Sequence, residues 1–215
     1  MIQGSGVNWT TQVNEPQATY DEVDQLKPDY RYTIVVTTDS GLSSATGPDV
    51  GFAMLPQAER DRINAEVAEV KARQLEPDVE AIALALVYLG FEHSDPNRQS
   101  YALNQSALDV LETRILAGSE NSQLYLLQAE TYLAVGLPLL ARERYGQGLA
   151  LAEASGQREL QVDNHLGLAT VAEGQTEYDA AIAHLQAAQE LYETLGEREQ
   201  VEALQARIET LEKEI

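Results

Sequence analysis

The sequence has no cysteine and few positive charges. The absence of cysteine excludes disulfides, thiolate metal sites and a cysteine nucleophile. Its 14 lysine and arginine residues are outnumbered by 35 aspartate and glutamate residues, which gives a formal net charge of −21. Nucleic acids and anionic membranes are held by basic side chains that neutralise phosphate. We therefore expect neither a nucleic acid nor a membrane surface among its partners.

The sequence also lacks a long apolar run and the motifs of the common catalytic sites. No apolar stretch approaches the roughly 18 residues that a membrane-spanning helix needs. There is no glycine-rich phosphate loop, no His-Glu-x-x-His motif and no nucleophile elbow. Acidic residues are so numerous that a pair of carboxylates close in sequence carries no information. We predict a protein that is not an enzyme and that has no cofactor.

The first 56 residues are rich in threonine, valine and tyrosine. Residues 30–38 are β-branched and aromatic and alternate well enough to form a strand. Residues 50–55 predict a second strand, and residues 7–13 a possible third. Two or three strands are marginal on their own, so we expect a small β segment over residues 1–56.

One run in this segment resembles part of a known sandwich. The run from Leu26 to Tyr32 (LKPDYRY), which leads into a strand, is similar to the later half of a fibronectin type III-like domain. In such domains a tyrosine at this spacing hydrogen-bonds back across a corner. The earlier strands of such a domain have no counterpart here, which suggests a truncated start. A plain β-hairpin explains the same residues equally well.

From residue 57 onward, alanine, leucine, glutamate and glutamine recur at helical spacing, interrupted by glycine, proline and asparagine. Pro77 and Pro138 suit the first turn of a helix, where the missing N–H has no partner to lose. The pattern predicts helices at 57–74, 77–91, 98–117, 121–135, 138–155, 158–173, 177–195 and 198–214.

Internal repetition decides the expected fold class. The segment 154–159 returns as 194–199, a shift of 40 residues that also brings Ala141 onto Ala181. A shift of 34 residues brings Ala107 onto Ala141. The repetition is degenerate, and it indicates successive helix pairs of similar construction.

The clearest unit runs from Tyr125 to Leu149 and resembles a tetratricopeptide repeat. Small residues at Ala129, Ala141 and Gly148 allow two helices to approach closely, and large residues between them fill the gaps. The resemblance extends over about 75–196. It implies a mainly α fold, a tetratricopeptide-like α-solenoid of antiparallel helix pairs over residues 57–215, preceded by the small β segment.

The last predicted helix carries an apolar stripe on one face and charged residues on the other. The stripe consists of Val201, Leu204, Ile208, Leu211 and Ile215. A terminal repeat must present a polar outer face, so we interpret this helix as a cap. A short coiled-coil contact with a second chain is the alternative.

Three histidines, His93, His165 and His184, stand apart in the sequence. His165 and His184 fall on neighbouring predicted helices and are able to approach each other, with Asp163 nearby. Two histidines and a carboxylate can bind zinc. Unrelated polar positions explain these residues more simply, and no metal site is predicted.

The resemblance also implies a binding surface, because the first helix of each pair lines the concave groove in this family. The stretches 75–97, 115–141 and 159–197 contain no lysine or arginine. Such a groove lacks the cations that would hold an acidic peptide, and it suits an apolar, neutral or basic polypeptide. The predicted partner-binding residues are Leu126, Glu130, Leu133, Asn164 and Leu168.

These residues recur along one stripe, and Glu130 would select a lysine or arginine of the partner. Packing between neighbouring repeats explains the apolar members equally well, and the β segment or the cap helix is able to fill the groove. We expect a protein–protein interaction scaffold. The alternative is a structural module that forms a homodimer through the β segment or the cap helix.

Overall fold

The computed structural model describes residues 2–4, 7–13, 26, 31–38, 52–53, 55–90 and 103–215. The protein is mainly helical, with a small antiparallel sheet near its N-terminus, as predicted. The chain divides into two compact units, Met1–Ala65 and Glu66–Ile215. This division falls inside the first helix. The predicted boundary, after residue 56, coincides instead with the change from strand to helix.

The sheet contains short antiparallel strands in the order β2-β1-β3-β4. The strands are β1 (Ile2–Gly4), β2 (Val7–Trp9), β3 (Arg31–Ile34) and β4 (Phe52–Ala53). Strands β2, β3 and β4 lie within the three predicted segments, and β1 was not predicted. Ile2 pairs with both Trp9 and Ile34, which places β1 between its two neighbours.

The core of this sheet is small. Ile2 and Tyr32 are buried, and Trp9 and Leu26 pack against them. Residues 27–30, the centre of the fibronectin-like run, lie outside the described residues, as do the segments between β2 and β3 and between β3 and β4 for most of their length.

Eight helices lie in the described part of the chain, one for each predicted helix, and they contain more than half of its residues. They are α1 (Gln57–Ala72), α2 (Pro77–Leu89), α3 (Asn104–Leu116), α4 (Ser122–Ala134), α5 (Pro138–Ser155), α6 (Arg158–Gly174), α7 (Tyr178–Leu195) and α8 (Arg198–Leu211). The predicted start of the third helix, at 98, lies outside the described residues. The proline starts of α2 and α5 are confirmed.

The 40-residue repetition has a structural counterpart at two helix ends. Gly156 and Gly196, which end α5 and α7, both have left-handed backbones, with φ of 69° and 82°. After each glycine the next N–H donates back to a carbonyl of the last turn, from Gln157 to Ala152 at 2.9 Å and from Glu197 to Tyr192 at 3.0 Å. Only glycine adopts this conformation without steric cost, so the repeated glycine sets the same turn twice.

From α2 to α8 each helix packs against the next one in the chain, and α4 also packs against α2 and α6. Three core clusters follow one another along this series, one among α2, α3 and α4, the next among α4, α5 and α6, and the last among α6, α7 and α8. Ala141 and Ala181, which the 40-residue repetition brings onto each other, are fully buried in the second and third cluster.

The centre of the predicted apolar stripe of α8 faces its own chain, whereas Ile215 lies beyond the helix and is exposed. Leu204, Ile208 and Leu211 are buried in the same cluster as Ala181 and Leu185 of α7. These side chains are therefore not available for a coiled coil with a second chain. None of the helices that the structure describes has both the length and the apolar character that a bilayer crossing requires.

Candidate partner-binding face

The five predicted partner-binding residues lie on two adjacent helices, α4 and α6, and their accessibility differs. Leu126 and Leu168 are 7% and 8% exposed and belong to one core cluster with Tyr145. Leu133 is half-buried against the same cluster, and Glu130 is exposed. The apolar members of the predicted stripe therefore pack between neighbouring helices, which was the competing explanation, and they offer little surface to a partner.

Asn164 is fully buried rather than facing a groove. Its side-chain amide donates to the carbonyl of Leu160 at 2.6 Å, while its Oδ1 has no hydrogen-bond partner among the residues that the structure describes. A β-carbon added at Gly148 of α5 would lie 2.6 Å from that oxygen, and Ser122 of α4 donates to the Gly148 carbonyl at 2.7 Å. Asn164 is thus a polar residue of the α4–α5–α6 contact.

Glu130 is the predicted residue that remains at the surface, and it is one of a set of neighbouring carboxylates. Desolvation by its surroundings raises its pKa, and the negative charge of Asp163 on α6 raises it further. Desolvation likewise raises the pKa of Asp163, with a second contribution from Glu159 one turn earlier. The hydroxyl of Tyr145, buried beneath Glu130, also has a raised pKa because of burial and of the Glu130 charge. Charges of one sign accumulate on this side of α4 and α6.

A cleft of about 450 Å³ opens beside Asp163, where α6 meets the end of α7 and the start of α8. Its walls combine three carboxylates with a tyrosine ring and two aliphatic side chains. The lining residues are Glu159, Val162, Asp163, Tyr192, Leu195, Glu197 and Gln200. Desolvation raises the pKa of Tyr192, and the charges of Asp163 and Glu197 raise it further. We call this feature the acidic cleft.

The carboxylates of the acidic cleft are not paired with any cation of the described residues, although Arg158 and Arg198 are sequence neighbours of Glu159 and Glu197. Glu159, Asp163 and Glu197 form no ion pair and no side-chain hydrogen bond with any residue that the structure describes. Repulsion among like charges in a partly desolvated site is unfavourable. A cation brought by a ligand would relieve this repulsion.

Four arginines elsewhere in the helical part are already engaged in ion pairs with carboxylates. Ion pairs join helices or their turns at four places, all of them partly buried or at the surface: Arg114 with Asp78, Arg142 with Glu177, Arg144 with Glu112 and Arg207 with Glu173. Arg114 and Ser119 hold the pKa of Asp78 below its ordinary value despite its desolvation. The carboxylates of the acidic cleft differ from these in being unpaired. On α6, Glu173 near the end of the helix is paired with Arg207, whereas Glu159 near its start has no partner among the described residues.

The acidic cleft was not predicted from the sequence. The prediction placed the binding surface on α4 and α6, whereas Tyr192 and Glu197 come from the α7–α8 junction. One signal was present: the stretch 159–197 contains no lysine or arginine and has a glutamate at each end.

His165 of α6 and His184 of α7 do approach each other. Their Nδ1 atoms lie 3.1 Å apart and the ring centroids 5.3 Å apart, with an angle of 43° between the rings. Burial lowers the pKa of both imidazoles, and each is lowered further by a neighbouring positive group, His184 for the first and Arg142 for the second. Asp163 takes no part in this contact. In the described ranges no group of three or more histidine, aspartate or glutamate side chains has the arrangement of a metal site.

Comparison with known proteins identifies no relative. No family model, no curated protein and no solved structure matches this chain.

Proposed function

We propose that this protein is a non-catalytic scaffold that binds a polypeptide partner. Basic side chains of the partner would bind in the acidic cleft and at the adjoining Glu130. The supporting observation is the acidic cleft itself, where three unpaired and exposed carboxylates lie beside a tyrosine ring and one of them, Asp163, is partly desolvated. The apolar stripe of α4 and α6, which we had expected to contribute contact area, contributes to the core instead.

The finer fold that we propose is a tetratricopeptide-like solenoid of antiparallel helix pairs. Two features support it besides the resemblance of residues 125–149. Helix α4 packs against both α2 and α6, which is the contact expected if these three are the first helices of successive pairs. Glu159 and Glu197, at the starts of α6 and α8, line one cleft, while Arg207 reaches Glu173 near the other ends of the same two helices. Helices α6 and α8 therefore run in the same direction, as alternating antiparallel pairs require.

A side chain of lysine or arginine fits the acidic cleft better than a free metal ion. Tyr192 offers a ring face on which a cation can lie. Leu195, which is half-buried, offers aliphatic surface against which the methylene stem of such a side chain can pack. The cavity is also much larger than a single ion needs. Glu130, on the neighbouring helix α4, provides a carboxylate outside the cleft for a further basic residue of the same segment.

The test is a fluorescence titration with a synthetic amphipathic peptide of leucine and lysine, repeated with a leucine–glutamate peptide of the same length and pattern. The parent protein should bind the lysine peptide and not the glutamate peptide. Binding should weaken as salt is added, because charge pairs at an open site are screened. Asp163→Asn should weaken binding of the lysine peptide several-fold.

Net charge alone attracts basic peptides to so acidic a protein, so the control must remove the same charge elsewhere. Glu190→Gln does this at an exposed position of α7 outside the acidic cleft. The proposal requires Glu190→Gln to bind the lysine peptide as the parent does. Equal weakening by both substitutions would reduce the interaction to overall charge, and no weakening by Asp163→Asn would remove the cleft as the binding site.

A further inference from the structure

The histidine pair between α6 and α7, His165 and His184, is a direct contact between two imidazole nitrogens. The two Nδ1 atoms face each other at 3.1 Å, so one ring must donate its Nδ1 proton to the other. Neither imidazole forms a hydrogen bond with any other described residue. The pair therefore shares one proton between two nitrogens that lie within reach of a single ion.

The distance between the two nitrogens suits two ligands of one metal ion. Zinc–nitrogen bonds are about 2.0–2.1 Å long, so nitrogens 3.1 Å apart would subtend an angle of about 98° at the ion. That angle lies between the values for square-planar and for tetrahedral coordination. If the donor ring changes tautomer, its proton moves to Nε2 and both Nδ1 lone pairs become free to coordinate.

One positive and one negative side chain of α5 act on the histidine pair. Arg142 of α5 acts on His184, but its guanidinium is bound by Glu177 at 2.6 Å and by the side chain of Gln175. Glu153, also on α5, acts on His165 with a negative charge. Both histidines are only half-buried, so water can complete the coordination sphere.

We propose that His165 and His184 form a two-histidine site for a divalent late first-row transition metal ion of the copper, nickel and zinc group. Imidazole nitrogen suits these ions, whereas magnesium and calcium prefer oxygen. The site holds the ion with two protein ligands and open positions for water, which is fewer ligands than the three or four of a typical zinc site. The ion would link α6 to α7 across their contact, and it would stabilise the folded chain by mass action.

The test is calorimetric titration of the untagged protein with Ni²⁺ in excess Mg²⁺, which occupies the many surface carboxylates. We expect one Ni²⁺ per chain, and we expect this binding to be lost in His165→Asn and in His184→Gln. His93→Asn, which removes the third histidine of the sequence, is the matched control and should bind as the parent does. Thermal unfolding with and without Ni²⁺ should show a rise in Tm for the parent and for His93→Asn, and none for the other two.

A spectroscopic measurement keeps the proposal falsifiable if a variant is too unstable to titrate. Cu²⁺ bound to the parent protein should show the electron paramagnetic resonance splitting of two coordinated imidazole nitrogens. A spectrum with only oxygen ligands, or with one imidazole, would overturn the proposal. So would Ni²⁺ binding that persists unchanged in both His165→Asn and His184→Gln.

Discussion

The ring of Tyr145 on α5 lies directly against the backbone of Gly167 on α6. A β-carbon at position 167 would be 2.6 Å from Cδ1 of that ring and nearer still to Cε1 and Cζ. Tyr145 is 3% exposed, and its ring fills the space between α5 and α6. The absence of a side chain at position 167 is therefore what allows a large residue of one helix to pack directly against the next.

Gly167→Ala should destabilise the protein, although the same change in an open helix would stabilise it. Alanine is favoured over glycine within helices by roughly 0.5–1 kcal/mol. The clash with Tyr145 has to be relieved by moving a buried ring or a helix, at a cost of about 1–3 kcal/mol. Urea unfolding should show a net loss of stability.

Gly146→Ala is the matched control for this prediction. Gly146 lies within α5, and a β-carbon there would meet no other atom within 4 Å. This substitution should raise the urea midpoint. If both alanine variants move the midpoint in the same direction, the ring of Tyr145 does not lie where the structure places it.

Ala141→Leu tests the close approach of the helices at the repeated alanine position. Ala141 has no exposed surface and packs in the cluster that contains Tyr145 and Leu126. Three additional carbon atoms have to be accommodated there, so the free energy of unfolding should fall by about 1–3 kcal/mol. Ala154→Leu makes the same change at an exposed position of the same helix and should leave the midpoint nearly unchanged. Coincident urea curves for Ala141→Leu and the parent would contradict the packing at this position.

The helices could be predicted from the sequence because their signals are local. Pro138 fixes the start of α5 and Gly156 its end, and neither signal depends on distant residues. The pattern at 7–13 likewise contained the β2 strand. Strand β1 could not be predicted, because three residues that include a glycine carry too little β-branched or aromatic character.

The candidate site was less accessible to sequence reasoning, for a geometric reason. Residues spaced by three and four lie on one stripe of a helix, but this spacing does not say whether the stripe faces a groove or the neighbouring helix. Leu126 lies four residues before the exposed Glu130 on α4 and is nevertheless buried between helices, as is Leu168 on α6. The acidic cleft depends on how α8 is placed against α6, and no local pattern encodes that placement.

Glu130→Gln should change stability in a pH-dependent manner. The pKa of Glu130 is raised from its ordinary value of 4.5 by desolvation and by Asp163. Because the folded state holds the proton more tightly than the unfolded state, the charged form costs stability at pH values above the folded pKa. This cost fades as the pH falls through the folded pKa, and it is absent below 4.5, where the carboxyl is protonated in both states.

At pH 7 the glutamine variant should therefore be more stable than the parent, by a few tenths of a kcal/mol, the scale of an interaction between exposed charges. Below pH 4.5 the difference should vanish. Urea unfolding at a series of pH values measures both. An advantage for Glu130→Gln that grows as the pH falls would have the wrong sign and would contradict the repulsion between Glu130 and Asp163.

Within the acidic cleft, Asp163 and Glu197 should differ in their effect on stability although both serve binding. Asp163 lies within α6, where its neighbour Glu159 repels it. Glu197 occupies the N-cap position of α8, where the helix dipole favours a negative charge by roughly 0.3–1 kcal/mol. Removing the charge of Asp163 relieves repulsion alone. Removing the charge of Glu197 relieves repulsion and also forfeits the interaction with the dipole.

Asp163→Asn should consequently raise the Tm while Glu197→Gln leaves it nearly unchanged, and both should weaken binding of the leucine–lysine peptide. This combination separates a binding site from a purely structural one, because residues retained for binding often cost stability. Thermal unfolding and peptide titration of the two variants, with Glu190→Gln as the charge control, provide the measurement. If Asp163→Asn lowers the Tm, the Asp163 carboxylate stabilises the fold. Its presence in the acidic cleft would then be explained by stability and not by the binding of a basic ligand.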